Sequence, residues 1–538
     1  MELIKNTSKD KLRGGFYTPA SIVDFILKWA FNGNKEMDIL EPSCGDGIFL
    51  SQIKKNNYSY QSILAIELDN DEAKKSRKHN LDNCVVKNKE FHLFCNRTDK
   101  KFDLIIGNPP FIRYQYFDKD QQQEAHDIFN RAKLKYSKLT NSWVSFIIGS
   151  SLLLKETGKI GFVVPAEILQ VSFAKTLRQF LAEYYNKVCI VSFKKLVFPK
   201  IQQEVVLLLC ECDNSGKHNI EHLEVNDSNS LLNVDMSKLK SPKKKLEFKS
   251  NKWTFYFLDQ KEINFIEQIK NNRKYKSFGS LANVEVGITT GANPFFTVPK
   301  SVVQNYNLEK FAKPMVGRSI QANNAIFNEK DWFLNQNNEA RANLLVFPEM
   351  NKLENENGAK EYIKKGVDWG FHKGYKCRIR DEWQIVPSVR FSDALFVRRN
   401  HLYPKLLLNE VGAYTTDTMH RVTINDEINK EAFIASYYNS LTLAFSEICG
   451  RSHGGGVLEL MPNEVEEMIL PYSPQHESLL LEIDKSLRAK ENITKILLYT
   501  NRIILNESFG FSNSEIELAD RIWIKLSSRR LNRNRKES

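Results

Sequence analysis

The sequence predicts a doubly wound α/β domain at its N-terminal end, followed by a mixed α/β region and a helical tail. Short apolar runs recur over roughly the first 210 residues, and few of them alternate with polar residues. This pattern is typical of strands buried on both faces of a parallel sheet, and the amphipathic stretches between them predict helices on those faces. The runs are 39–40, 63–68, 102–107, 161–164, 189–193 and 205–209, and the clearest helical candidates are 19–31 and 173–185.

Changes in composition divide the chain into three predicted domains. A polar stretch from Asp213 to Ser250 reads as an exposed connection. The region after it mixes short strands, aromatic residues and glycine-rich turns, and from about Glu477 the apolar spacing becomes helical. We therefore predict domains at residues 1–245, 246–475 and 476–538, the last being a helical and basic C-terminal tail.

Composition excludes several classes of protein. No apolar run reaches the roughly 18 residues that a membrane span needs, and the N-terminus lacks a secretory signal, so we expect a cytoplasmic protein. The eight cysteines are scattered, so we expect no zinc or other metal site. The net charge of +12 favours a nucleic-acid partner, although a lysine-rich proteome would also explain it.

Two acidic or glycine-containing segments suggest a ligand site at the carboxyl ends of the first strands. Residues 38–50 read as a strand, a loop with Gly45 and Gly47, and a helix, and glycine lets backbone approach a ligand closely. The loop matches no dinucleotide or P-loop pattern. Glu67 ends the next strand, where a carboxylate suits the two hydroxyls of a ribose. A plain turn and a solvated acid are the alternatives.

The segment Asn108-Pro109-Pro110-Phe111 is the sharpest signal in the chain. It ends a buried strand abruptly, and its two prolines stiffen the turn and remove two backbone donors. The side-chain oxygen of Asn108 and the carbonyl of Pro109 can then accept both N–H groups of an aromatic amine. These hydrogen bonds favour a pyramidal nitrogen whose lone pair can attack a methyl group, and Phe111 can stack on the base. A structural turn is the alternative.

These segments, in this order, resemble the gamma class of DNA amino-methyltransferases, the TaqI-like group with a Rossmann-like catalytic domain. The resemblance extends to about Pro471. It implies S-adenosylmethionine as cofactor and Asn108 to Phe111 as the catalytic tetrad, with Phe198 stacking on the other face of a flipped-out adenine; a place for Phe198 in the hydrophobic core is the alternative. Glu90 stands where the family usually has an Asp that accepts from the cofactor's adenine amine, and Glu makes that side chain longer. The cofactor-binding residues implied are Thr18, Glu41, Ser43, Cys44, Gly45, Gly47, Glu67, Glu90, Phe91, Asn108 and Phe146.

The second half of the chain resembles the target-recognition domain of the same family. Its marks are segments 286–293 and 450–460, whose glycines permit close approach to a phosphate, with turn glycines as the alternative. The basic run 529–536 is expected to be a solvated helix end, with DNA contact as the alternative. The DNA-binding residues predicted are Gly291, Asn293, Arg451, Gly454, Gly455 and Gly456.

The resemblance implies a site-specific adenine N6-methyltransferase of double-stranded DNA from a bacterium or archaeon. It implies a monomer that protects host DNA from a separately encoded restriction endonuclease. Methylation of cytosine N4, of RNA or of protein glutamine remains an alternative, as does a non-catalytic DNA-binding specificity subunit. The competent residues at every catalytic position, and the long C-terminal module, argue against these alternatives.

Overall fold

The computed structural model describes residues 18–32, 36–198, 204–240, 244–246, 252–453 and 455–532. The chain divides into two compact units, Met1–Ile263 and Asn264–Ser538. The predicted helical tail lies within the second unit. The division into three functional domains stays a prediction.

One large sheet organises the first unit. Its strands are β1 (Asp38–Glu41), β2 (Ser62–Glu67), β3 (Cys84–Asn88), β4 (Phe102–Gly107), β5 (Leu154–Pro165), β6 (Lys187–Phe193), β7 (Val205–Glu211), β8 (Asn219–Val225) and β9 (Lys244–Lys245). Within the described residues their order is β3-β2-β1-β4-β5-β7-β6-β8-β9. Strands β1 to β5 pair in parallel, whereas β7 is antiparallel to both β5 and β6.

Helices cover the sheet of the first unit. They are α1 (Ala20–Ala30), α2 (Ile48–Lys55), α3 (Asn70–Arg77), α4 (Phe91–Asn96), α5 (Lys119–Arg131), α6 (Ser142–Leu152), α7 (Lys175–Tyr184) and α8 (Met236–Lys240). The apolar face of α1, with Ile22 and Ile26, belongs to one core cluster with Ile39 of β1 and Leu104 of β4. The predicted doubly wound α/β fold is confirmed.

Smaller sheets and short helices form the second unit. Its strands are β10 (Lys276–Ser277), β11 (Ala282–Val286), β12 (Thr297–Val298), β13 (Ala312–Val316), β14 (Ile326–Phe327), β15 (Asn343–Leu345), β16 (Ala394–Val397), β17 (Arg399–Asn400), β18 (Leu406–Asn409), β19 (Tyr414–Thr415), β20 (Met419–Ile424), β21 (Arg451–His453), β22 (Val457–Glu459) and β23 (Ile469–Leu470). In the part of the chain that is described, the largest of these sheets has the order β11-β20-β16-β18-β14.

The helices of this region are mostly short. They are α9 (Gln260–Asn271), which crosses the division between the units, α10 (Asn293–Phe296), α11 (Lys300–Asn305), α12 (Glu329–Asn337), α13 (Asn357–Asp368), α14 (Tyr375–Arg378), α15 (Lys430–Tyr437), α16 (Ser440–Cys449), α17 (Pro462–Glu466), α18 (Leu480–Arg488), α19 (Ile493–Thr500) and α20 (Asn513–Leu531). Counting only described residues, no helix of either unit is both long and apolar enough to cross a membrane.

The C-terminal tail is helical, as predicted. Arg530, in its basic end, is buried rather than solvated. That side chain is only 1% exposed and forms an ion pair with buried Glu447 at 2.6 Å. It also donates hydrogen bonds to the backbone carbonyls of His401 and Gly456. The expectation of a solvated end is therefore wrong for Arg530, because a buried carboxylate requires a buried cation. The rest of the predicted run, 533–536, lies outside the described residues.

Candidate active site

The loop between β1 and α2 lies at the edge where the sheet reverses its strand order, between β1 and β4. This edge is the usual ligand position of an open α/β sheet. Glu67, at the end of β2, accepts hydrogen bonds from the backbone N–H groups of Gly45 and Asp69, each at 2.8 Å. The two bonds orient the carboxylate and hold the loop against β2. Burial raises the pKa of Glu67, although the same N–H groups oppose the rise.

Gly47 allows the loop to turn directly into α2. Its φ is +86°, in the left-handed region that favours glycine. A Cβ atom at this position would lie 2.7 Å from Cδ2 of His79, closer than van der Waals contact permits. The backbone conformation therefore favours glycine, a larger residue would also displace the His79 side chain, and the role of Gly47 is to shape the loop.

Glu41 places a buried carboxyl group beside this loop. The residue is 2% exposed, and its Oε2 has no hydrogen-bond partner among the described residues. Burial, reinforced by the nearby charges of Glu67 and Asp46, holds the pKa of Glu41 well above its usual range. An ionised carboxylate in such a position calls for a cation that the described protein residues do not supply.

The tetrad Asn108 to Phe111 follows β4 directly, and hydrogen bonds fix its turn. The side-chain Nδ2 of Asn108 donates to the Thr18 hydroxyl at 3.1 Å, and the Ser43 hydroxyl donates to the Asn108 carbonyl at 3.2 Å. The Ser142 hydroxyl donates to the Pro110 carbonyl at 2.6 Å. Asn108 is thus anchored through its amide nitrogen, which determines the direction of its side-chain oxygen.

Glu90 caps the N-terminus of α4 and is held by two donors. Its Oε2 accepts from the Leu93 N–H at 2.6 Å, and its Oε1 lies 2.6 Å from Nδ1 of His92. The opposite ring nitrogen of His92 lies 2.8 Å from the Ser145 hydroxyl. Burial alone would raise the pKa of Glu90, but the hydrogen bonds from His92 and Leu93 outweigh it and lower the pKa.

A cavity of about 480 Å³ joins these groups. Every cofactor-binding residue predicted from the sequence, except Gly47, lines it. These residues are Thr18, Glu41, Ser43, Cys44, Gly45, Glu67, Glu90, Phe91, Asn108 and Phe146. Phe91 and Phe146 stack on each other with centroids 4.7 Å apart, which gives the cavity an aromatic wall.

Several further residues line the same cavity and were not predicted from the sequence, among them His92, Ser142 and Phe117. His92 could have been found from the sequence, because it follows the predicted cofactor-binding residue Glu90 by only two residues. Ser142 carried no local signal, since it begins a helix that lies 31 residues beyond Phe111.

Three residues of the predicted base-binding set lie apart from this lining. Pro109 is buried, and Phe111 is partly buried. Phe198 is 8% exposed and belongs to the core cluster against which Phe111 packs. The two aromatic rings therefore share one apolar environment.

The DNA-binding residues predicted from the sequence all belong to the second unit. Asn293 begins α10, and its side-chain oxygen accepts from the Thr290 hydroxyl at 2.5 Å. Arg451 forms an ion pair with buried Glu464 at 2.8 Å. Gly455 and Gly456 lie in the turn between β21 and β22, whereas Gly454 lies outside the described residues. No group of three or more His, Cys, Asp or Glu residues in the described ranges could hold a metal ion.

Comparison with known proteins agrees with this arrangement. Residues 34–198 match a family model described as Eco57I restriction-modification methylase. Residues 250–505 match one described as the C-terminal domain of type II methyltransferase M.Eco57I. Together the two matches cover both units.

Curated relatives carry similar descriptions. Type II methyltransferase M.AccI of Acinetobacter calcoaceticus is 24% identical over 473 residues, covering 84% of each chain. Type II methyltransferase M.HincII of Haemophilus influenzae is 29% identical over 251 residues, covering 46% of this chain and 44% of the relative.

The solved structures that the chain matches share little sequence with it. The type IIG restriction endonuclease BpuSI has a TM-score of 0.41 at 13% identity, covering 97% of this chain and 67% of the other. The DrdV–DNA complex has a TM-score of 0.44 at 12% identity, covering 82% of this chain and 54% of the other. On the two family matches and the curated relatives, the chain belongs to the family of type II restriction-modification DNA methyltransferases.

Proposed function

We propose that this chain transfers a methyl group from S-adenosylmethionine to the N6 amino group of a flipped-out adenine in double-stranded DNA. The observation that carries the proposal is the tetrad from Asn108 to Phe111, anchored beside the same cavity that Glu41 and Glu67 line. S-adenosylmethionine is the cofactor of this family and supplies a methyl group already activated on a sulfonium. The described residues bind and orient the reactants.

The cavity fits this cofactor in charge. Glu41 presents a buried carboxyl oxygen that has no donor among the described residues, and the cofactor carries both an ammonium and a sulfonium charge. Binding the ammonium beside Glu41 would compensate the carboxylate that burial disfavours.

The cavity also fits the cofactor's nucleoside. Each carboxylate oxygen of Glu67 accepts one backbone N–H, and each has a second lone pair for one hydroxyl of a ribose diol. Phe91 and Phe146 offer an apolar wall for the adenine ring. Glu90 replaces the aspartate of the family, and we propose that it accepts the cofactor's exocyclic amine, with His92 holding the longer side chain in place.

Asn108 and Pro109 act on the target amine. Their oxygens accept its two N–H groups, which withdraws the nitrogen lone pair from the aromatic ring and directs it toward the methyl group. Because Thr18 holds the Asn108 amide nitrogen, the acceptor is oriented before the base arrives, so little free energy is lost in reorganisation.

The target base reaches this site by leaving the duplex, since adenine N6 is inaccessible within the stack. We propose that Phe111 and Phe198 stack on its two faces. Flipping costs a few kcal/mol, and each stacking contact contributes about 1–3 kcal/mol, so the two terms are comparable.

The remaining assignments follow from the family. We propose that residues 1–245 bind the cofactor and that residues 246–475 select the DNA sequence. Within the latter, Gly291, Asn293 and the turn with Gly455 and Gly456 approach the DNA. A separately encoded restriction endonuclease would share the recognition sequence, and the monomer would be the active form.

Asn108→Ala tests the assignment of the acceptor. We expect methyl transfer to DNA under single-turnover conditions and saturating cofactor to fall by about 100-fold or more, with DNA affinity within about threefold of wild type. Thr18→Val is the matched control, because it keeps the acceptor oxygen of Asn108 and removes only the bond that orients it. Its loss should be smaller. Near-normal turnover in Asn108→Ala would refute the proposed role.

A further inference from the structure

Residues 369–380 of the second unit form a surface that none of the sequence motifs includes and to which the proposed function gives no residue-level role. We call it the basic–aromatic segment. Trp369 is 56% exposed and Tyr375 is 65% exposed, so two large aromatic side chains face solvent within seven residues of each other. Exposed aromatic residues at this density are typical of an interaction surface, since a solvated face is usually polar.

The segment is also strongly basic. It contains four cationic side chains, Lys373, Lys376, Arg378 and Arg380, and no acidic residue. Lys373, Lys376 and Arg378 are exposed, and none of the three forms an ion pair with any described residue. Their charges are therefore available to a polyanion, in contrast to Arg451, whose guanidinium is already paired with Glu464.

The fourth cation anchors the segment to the predicted DNA-binding loop. Arg380 donates hydrogen bonds to the backbone carbonyls of Thr289 at 3.2 Å and Thr290 at 2.7 Å. The next residue, Gly291, has φ +81°, and a Cβ there would lie 2.7 Å from Cβ of Lys376. The loop and the segment thus form one continuous surface, and Gly291 is required for their close contact.

Aromatic packing holds the exposed groups in place. The Trp369 ring makes edge contacts with Phe371 and with buried Tyr362, at centroid distances of 6.2 and 6.1 Å. Cys377, between Lys376 and Arg378, is fully buried. The cations next to it therefore project from a backbone that is fixed on its other side, which lowers the entropy lost on binding.

We propose that the basic–aromatic segment is a contact surface for the DNA duplex, in which Lys373, Lys376 and Arg378 bind backbone phosphates and Tyr375 packs against the sugar edge. The proposal rests on DNA being the substrate and adds a surface outside the glycine motifs. Phosphate contacts position the protein on DNA without reading sequence, so this segment would supply affinity and register rather than specificity.

The salt dependence of DNA binding by the full chain tests the proposal. The triple variant K373Q/K376Q/R378Q removes three exposed charges, and each lost phosphate contact should reduce the magnitude of the negative slope of log K against log salt by about 0.9. The matched control is K313Q/K330Q/K495Q, which removes the same charge from three exposed lysines of the second unit that form no ion pair with described residues. We expect the magnitude of the slope to fall in K373Q/K376Q/R378Q and to stay within error of wild type in the control.

Tyr375→Ser separates the apolar contact from the ionic ones, since it should weaken DNA binding without changing the slope.

An unchanged slope in the segment triple, or an equal fall in both triples, would overturn the proposal. Cofactor affinity, measured on the same samples, should be unchanged, and an unchanged urea-unfolding transition shows that both units of each variant are folded. If wild-type protein binds no duplex DNA while binding cofactor, the proposed function fails; if wild type binds and only the segment triple is unaffected, this inference alone fails.

Discussion

The cofactor cavity of the first unit and the basic–aromatic segment of the second are opposite in charge and in exposure. Six acidic residues line the cavity, and three of them, Glu41, Glu67 and Glu90, lie at strand ends and a helix start. The segment presents exposed lysine and arginine side chains on short irregular elements. A small cationic cofactor is best held by enclosed acids, whereas a long polyanion needs exposed cations. Each region is therefore built for the charge of the ligand proposed for it.

The largest effect is expected from breaking the buried ion pair between Arg530 and Glu447 in the second unit. Arg530→Met leaves Glu447 buried without its cation, and breaking such a pair typically costs about 3–5 kcal/mol. Urea unfolding should show a loss in this range, with an unchanged cofactor affinity in the folded state.

The double variant R530M/E447L is the control for that experiment, because replacing both charges with apolar groups is often close to neutral. We expect it to recover most of the lost stability. A loss below about 1 kcal/mol in the single variant would show that the pair does not support this unit.

In the cavity, Glu67→Ala should raise the dissociation constant of S-adenosylmethionine by at least about tenfold. A hydrogen bond to a charged group contributes roughly 1.5–3 kcal/mol, and the loop also loses the bond to Gly45. Calorimetric titration measures the change. Glu72→Ala is the comparison, since Glu72 lines the same cavity but pairs with Lys75 at 2.7 Å. Equal effects in the two variants would contradict the role of Glu67.

Much of this arrangement was predictable because it depends on local pattern. Strands buried on both faces appear as continuous apolar runs, and the tetrad Asn108 to Phe111 follows one of them without a gap. The cofactor loop and Glu67 could be placed on one edge, since parallel strands carry their ends to the same side.

The features that were missed depend on tertiary contacts. Strand β3 (Cys84–Asn88) is at the sheet edge, and its residues are exposed or half-buried, so it lacks the apolar signature of the others. Arg530 looked like part of a solvated basic run, because its partner Glu447 is 83 residues away in sequence. The basic–aromatic segment gave no motif at all, since the exposure of its side chains is decided by the fold.

The smallest effect is expected from Glu41→Gln in cofactor-free protein. The raised pKa of Glu41 means that its contribution to stability is present below the unfolded pKa of about 4.3 and is lost as the pH rises through the folded pKa. The glutamine variant has no such loss. It should be the more stable protein at neutral pH, by about 1 kcal/mol, with the difference vanishing near pH 4.

The same substitution should weaken cofactor binding, because the ammonium loses its counter-charge. Thermal unfolding across pH, with and without S-adenosylmethionine, measures both effects. A variant that is less stable than wild type at neutral pH without cofactor would show that Glu41 already has a compensating partner.

The central claim is the identity of the methylated atom. Duplex DNA methylated by the purified wild-type chain can be digested to nucleosides and analysed by mass spectrometry, with Asn108→Ala protein as the control. The account predicts N6-methyldeoxyadenosine as the product of wild type and its loss in the variant. Detection of N4-methyldeoxycytidine instead, or of no methylated nucleoside under conditions where cofactor and DNA both bind, would contradict it.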